Sequence, residues 1–344
     1  MGIPTAAGPL RAGLLLLFTL FAGCAGHGQY PRTDTFAGSE VAQKAVIGSV
    51  PFYPQEAYQC GPAALAMVLN HRDAGVTLDE TIDRVYLPGR QGSLQVEMVA
   101  AARAEGMLVY PLDGDLEAII REVDAGNPVL VFQNLRFGWW PQWHFAVIVG
   151  YDLQHQEFLL HSGTEERTTL PFRVFDNTWA RAERWARVVL RPGELPATAE
   201  PVTYVRAAHD LEEVGQAEAA RISYQAALNA WPDSLAAGFA HANQLLSREQ
   251  WQQAEDAFRQ LLLFHPRSAP AWHNLGLALE RRQCPVAARQ ARRCAGRLAP
   301  DDDRFATGSV ESGAEVSTAS CSVTTLLAEA GCATSEQGVL PGEE

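Results

Sequence analysis

Residues 51–70 read PFYPQEAYQCGPAALAMVLN, and this stretch decides the fold of the first half of the chain. Pro62 suits the first turn of a helix, where a missing N–H costs nothing. The residues after it, AALAMVLN, are mostly strong helix formers and carry the helix onward. They are apolar on nearly every face, which makes the helix a buried, central one. Cys60 then stands at the helix N-terminus, where the backbone dipole favours a thiolate. Gly61 has no side chain, so a substrate backbone can come close there. The sulfur has four roles open to it: small buried hydrophobe, half of a disulfide, metal ligand or nucleophile.

The rest of the chain narrows these. It has 344 residues, is 47% hydrophobic and carries a net charge of -13. That length allows two domains with cores of their own, and that charge argues against nucleic acid as a partner. The basic run RRQCPVAARQARR falls on a helical pattern and reads as a solvated face. At the N-terminus, Arg11 precedes GLLLLFTLFAGC, a short apolar run ending in small residues and Cys24. It is short for a membrane span and has the form of an export signal. LFAGC resembles a bacterial lipoprotein signal, which implies lipidation at Cys24 and a cell-envelope location, anchored on the periplasmic side. The alternative is an ordinary cleaved signal that releases the chain to the periplasm. Cys284 and Cys294 share a helical region and Cys321 and Cys332 lie in the tail, so each pair is a candidate disulfide. No cluster has metal-ligand spacing, and no metal or cofactor is expected.

Residues 25–45 are small and polar and read as a tether after the signal of residues 1–24. From residue 46 to 191 helices come first: one from Pro62, one over Leu94–Glu105 with Ser93 as its N-cap, and DLEAIIREVDAG closing on Gly126. Strands follow in PVLVFQN, HFAVIVGYD and EFLLHS, an α+β plan. PGELPATAEP (192–201) is a proline-rich linker.

Beyond the linker the chain repeats. Pro232, Pro266 and Pro300 are spaced 34 apart (266 − 232 and 300 − 266). Twelve residues before each stand Ala220, Ala254 and Ala288; eight before stand Tyr224, Phe258 and Arg292; twenty-four before stand Ala208, Ala242 and Gly276. Small residues where helices cross, an aromatic between them and a closing proline resemble the tetratricopeptide repeat. Three such repeats over 202–300 imply an all-α solenoid that binds a protein partner. Residues 301–344 are acidic and rich in Ser, Gly and Thr, and read as a disordered tail in which TTLLAEAG is weakly helical.

A nucleophilic Cys60 needs an imidazole. His71 ends the helix that Cys60 begins, about 15 Å away at 1.5 Å per residue, and is excluded. His155 lies in a polar turn. His144 opens the apolar strand HFAVIVGYD after the aromatic loop RFGWWPQW, where it is either a base facing the cleft or a structural histidine. Those tryptophans either line a groove or pack the sheet edge.

The boxes VPFYPQEAYQCGPAALAMVLN, GSLQVEMVAAARAEGM, NPVLVF and WHFAVIVGYD together resemble the papain-like, bacteriocin-processing (double-glycine leader) peptidase family. The resemblance covers about residues 50–161. It implies Cys60 as nucleophile, His144 as general base in a thiolate–imidazolium pair, and Gln55 as an oxyanion donor beside the Cys60 N–H, with Gln59 the rival glutamine. In that family an Asp on the next strand orients the histidine. Here that strand carries His161 or Ser162, and Asp152, Asp176, Asn177 or a backbone carbonyl are the other candidates. The expected function is an exported cysteine peptidase acting on a peptide or protein, with repeats for recruitment. The alternatives are an inactive papain-like binding module, a repeat scaffold, or acyl transfer to another acceptor.

Overall fold

The computed structural model describes residues 30–31, 33–36, 40–54, 59–305 and 323–330. The signal, Cys24, Gln55, part of the tether and most of the tail lie outside the described residues. Among the described residues, no helix is long and apolar enough to cross a membrane.

The central helix α1 (Cys60–His71) begins on the cysteine itself, and every residue from Gly61 to Leu69 is buried. A helix without a polar face must be covered all round. α2 (Leu78–Val85) and α3 (Gln95–Ala104) flank one side of it. The other side rests on a sheet of seven strands: β1 (Lys44–Val46), β2 (Leu108–Pro111), β3 (Val129–Asn134), β4 (Trp143–Asp152), β5 (Glu157–Ser162), β6 (Glu165–Pro171) and β7 (Ala186–Leu190). The order is β2-β7-β3-β4-β5-β6, and every pairing is antiparallel. β1 pairs antiparallel with the far end of β4, beyond the point where β3 stops. The end of the predicted tether is therefore a strand. β3 is buried along its whole length, the apolar Val129–Phe132 and also Gln133 and Asn134, the first of which donates to Thr178 Oγ1 at 2.6 Å. α4 (Leu116–Asp124) and α5 (Phe172–Ala180) complete the layer.

Six further helices form three hairpins: α6 (Pro201–Glu213) with α7 (Ala217–Ala230), α8 (Leu235–Ser247) with α9 (Trp251–Phe264), and α10 (Ala269–Arg281) with α11 (Pro285–Leu298). Each hairpin starts 34 residues after the one before (235 − 201 and 269 − 235). Ala220, Ala254 and Ala288 are all buried, as are Tyr224 and Phe258 between their helices. A Cβ at Gly276 would lie 2.8 Å from Arg292 Cγ and 3.1 Å from the Ala288 carbonyl, so the third hairpin closes only with glycine there. Arg292 stands in the aromatic position, half-buried, and pairs with Glu280.

The segment 192–201 is fixed to the sheet domain. The buried carboxylate of Glu122 accepts from Asn127 Nδ2 at 2.7 Å, Ala197 N at 3.1 Å, Thr198 N at 2.7 Å and Thr198 Oγ1 at 2.5 Å. The Tyr110 hydroxyl donates to the Thr198 carbonyl at 3.0 Å and accepts from Glu200 N at 3.0 Å. Tyr204, Ala208 and Leu211 join the same core cluster as the sheet, and Arg103 pairs with Asp210 across the junction.

One expectation changes here. Cys284 caps the N-terminus of α11 and Cys294 lies ten residues on, about 15 Å apart by helical rise, beyond disulfide reach. Both are disulfide-bonded, and at that separation not to each other. In the tail, the helix expected in TTLLAEAG is present. α12 (Thr324–Glu329) forms, and Val323, Leu326, Leu327 and Ala330 are buried in the core of the last two hairpins. Its four apolar side chains find a face that the acidic composition of the tail hid.

Candidate active site

The start of α1 opens into a cleft of about 970 Å³. Cys60, Ser93, Phe132, Trp143 and His144 all line it. Three backbone N–H groups, from Phe145, Gly61 and Cys60 itself, converge on the sulfur. They reflect the helix N-terminus and the neighbouring strand, since Phe145 directly follows His144. Burial is the stronger influence and pushes the Cys60 thiol up despite these donors. Burial alone pushes His144 down, to about 4. Both groups therefore rest in their neutral forms, thiol and imidazole. The expected resting thiolate–imidazolium pair gives way because desolvation outweighs the helix dipole.

His144 Nε2 lies 2.8 Å from Ser162 Oγ, which leaves Nδ1 as the nitrogen free to face the sulfur. Sheet geometry explains the choice of Ser162. Val147 pairs with His161 across β4 and β5, so the next residue, Ser162, falls opposite Ala146 and on the face that His144 shares. His161 points to the other face, where its Nε2 meets the Val50 carbonyl at 3.3 Å and its Nδ1 accepts from Arg167 N. The other candidates lie elsewhere. Asp152 is eight residues along β4 from His144, about 26 Å at 3.3 Å per residue, and binds Lys44 and His155. Asp176 on α5 pairs with Arg184 at 2.6 Å, and neighbouring Asn177 makes no bond to His144. His71 sits at the opposite end of α1 with Ser49 Oγ and the Gly126 carbonyl. Gln55 lies outside the described residues, and Gln59 caps α1 with its backbone, its carbonyl accepting from Ala63 N.

The aromatic loop between β3 and β4 divides. All three tryptophans are exposed, but Trp143 stacks on Phe132 with ring centroids 5.2 Å apart and lines the cleft, whereas Trp139 and Trp140 do not line it. Asn134 Oδ1 holds the loop by accepting from Arg136 N and Gln142 N. The lining around Arg181–Glu183 was not singled out from sequence, and that around Gly92–Gln95 only as part of the GSLQVEMVAAARAEGM box. Left-handed backbone at Gln91, Glu183 and Arg184 marks the turns that bring them in, a conformation no residue type there announces. Ser93 is not the N-cap of α3. Leu94 occupies that position without a side-chain bond, and Ser93 Oγ is buried without any hydrogen-bond partner. Among the described residues, no group of three or more His, Cys, Asp or Glu is placed to hold a metal ion.

A sheet laid against a helix that starts on a cysteine, with a histidine across the cleft, is the arrangement of a cysteine-peptidase-like domain. Residues 47–186 match the model of the Peptidase_C39 like family. Two solved structures are similar. One is a double glycine motif protease from an AMS/PCAT transporter in complex with the leader peptide, 21% identical over 42% of this chain and 92% of that chain, TM-score 0.30. The other is a putative C39-like peptidase from Bacillus anthracis, 17% identical over 43% of this chain and 98% of that chain, TM-score 0.35. No curated protein matches the sequence.

Proposed function

We propose that this chain is a cysteine peptidase that hydrolyses peptide bonds with Cys60 as nucleophile and His144 as general base. The observation that carries the reading is a cleft-facing sulfur under three backbone donors, beside an imidazole whose far nitrogen is held by Ser162. As Sγ attacks the scissile carbonyl, His144 Nδ1 takes the thiol proton. The oxyanion develops beside the N–H groups at the start of α1. His144 then gives its proton to the departing amine, and water releases the acyl group from the thioester. A neutral resting pair suits this order, because the imidazole is an available base at neutral pH. The 34-residue hairpins support a tetratricopeptide array that recruits a protein substrate or partner. The N-terminal LFAGC supports export with a lipid anchor at Cys24.

The test is turnover of a peptide library with Cys60→Ala and His144→Ala, each checked for an intact fold by circular dichroism. Loss of hydrolysis in both supports the reading, and unchanged hydrolysis in either sinks it. A serine where a carboxylate would hold the imidazolium favours a second reading, a binding module that retains peptides without cleaving them. A wild-type chain that binds peptides without turnover selects it.

A further inference from the structure

The stretch 90–95, which lines the cleft together with Cys60 and His144, follows from a tight turn. Leu87 and Gly92 bridge it, a single 3-10 turn spans Pro88–Arg90, and Gln91 takes left-handed backbone. This geometry delivers Ser93 against the first turn of α1. A Cβ added at Gly61 would lie 2.4 Å from Ser93 Oγ and 2.6 Å from Ser93 Cβ, so the glycine after the cysteine is what admits this serine. The hydroxyl is sealed from water, has no hydrogen-bond partner, and belongs to a residue that lines the cleft with Cys60. Sequence would have it capping α3, but the cap position passes to Leu94, which leaves the hydroxyl unemployed. An unpaired, desolvated hydroxyl is a standing cost in a native fold, and such groups gather where a ligand completes them.

The chemistry of the site fixes which part of a substrate comes here. His144 must deliver a proton to the departing amine, so the leaving side of the substrate lies along β4 and its aromatic wall. The acyl side then lies along the opposite wall, over Gly61 and residues 90–95. Ser93 has one heavy-atom torsion with three staggered wells, and one turn about it carries Oγ away from Gly61.

We propose that Ser93 is a substrate-binding residue: its hydroxyl turns into the cleft and donates a hydrogen bond to a main-chain carbonyl on the acyl side of the scissile bond. This rests on the peptidase reading for the direction of the substrate, while its test needs only the Cys60 sulfur and not turnover. Recognition of main chain rather than side chain makes the subsite indifferent to sequence at that position. Selectivity then falls to the neighbouring walls.

The experiment uses the full chain and two alkylating probes. Iodoacetamide carries nothing on its acyl side, and acetyl-Ala-Ala-Ala chloromethyl ketone carries three residues there. In each case Sγ displaces the halide and forms a thioether. Wild type should prefer the peptidyl probe, and Ser93→Ala should slow that probe about tenfold while leaving the iodoacetamide rate unchanged. Ser93→Thr, which keeps the hydroxyl, should recover part of the loss. Equal peptidyl rates in wild type and Ser93→Ala overturn the proposal. A matching fall with iodoacetamide also overturns it, because Ser93 would then act through the sulfur. If Cys60 proves unreactive to both probes, the peptidase reading fails. Ser93 is then judged by binding of acetyl-Ala-Ala-Ala amide to the Cys60→Ala chain. A loss of about tenfold in affinity on adding Ser93→Ala upholds it, and no loss refutes it.

Discussion

Replacing Ser162 with Asp should convert the neutral Cys60–His144 pair into an ionic one, and the change is readable as a pH profile. In the wild-type cleft, burial holds His144 at about 4 and raises the Cys60 thiol, so neither group supports the charge of the other. Iodoacetamide reads thiolate, and the wild-type rate should therefore climb through a single limb in the alkaline range. In Ser162→Asp a carboxylate takes the place of an oxygen now 2.8 Å from His144 Nε2. An opposite charge at that range raises an imidazole by about 1 to 3 pH units, which brings His144 to roughly 5–7. The imidazolium then stabilises a thiolate, and a second reactive plateau should appear near neutrality. Ser162→Ala removes one neutral hydrogen bond, about 1 kcal/mol, and should slow peptide hydrolysis about fivefold through loss of ring orientation without creating that plateau. The assay is the second-order alkylation rate from pH 4 to 10 for the three chains. Superimposed profiles for wild type and Ser162→Asp would refute the role given to Ser162.

Three further outcomes follow from the geometry. His144 is lowered from an ordinary 6.5 to about 4, so the unfolded chain binds a proton that the folded one refuses between those values. Its contribution, about 3 kcal/mol, is present above pH 6.5 and is lost as pH falls through about 4; urea titrations at pH 7 and 4.5 should show a smaller acid loss in His144→Gln than in wild type, and equal losses would contradict this. Glu122→Ala strips four donors of one buried carboxylate, so it should destabilise the chain by about 3–5 kcal/mol and open 192–201 to limited proteolysis; an unchanged cleavage pattern would show that the linker is held elsewhere. Reducing the disulfides at Cys284 and Cys294 should cost the last hairpin about 2–4 kcal/mol each, seen as a lower melting temperature with dithiothreitol, and Cys60→Ala should melt with the same reductant sensitivity.

The sequence displayed local features well. Pro62 and the apolar run after it announced α1, and the helix begins on Cys60 as required of a sulfur at an N-terminus. The three strands quoted from 128–162 appear with small shifts at their ends. Whatever depended on charge density at a distance was less legible. The helix dipole pointed to a thiolate, but the depth at which the sheet covers Cys60 reverses the balance. Ser93 shows the same limit at short range: residue type and position named it a cap, and the turn before α3 sets its hydroxyl against Gly61 instead. β1, β2, β6, β7 and α5 passed unremarked, because three-to-nine-residue elements with mixed polarity carry little periodic signal.

By itself the sequence determined the elements whose cause is contained in a few neighbouring residues: the helix that starts at the cysteine, the apolar strand that starts at the histidine, and hairpins repeating every 34 residues. Tertiary structure decided which residues meet. The register of β4 against β5 sets Ser162 on the face of His144, turns His161 to the other face and leaves Asp152 about 26 Å away on the same strand. The buried carboxylate of Glu122 makes one body of two stretches that composition separates with a linker. Both results come from pairings between residues far apart in the chain. Periodicity and propensity say which face a residue takes within its own element, while register and burial fix what stands across from it.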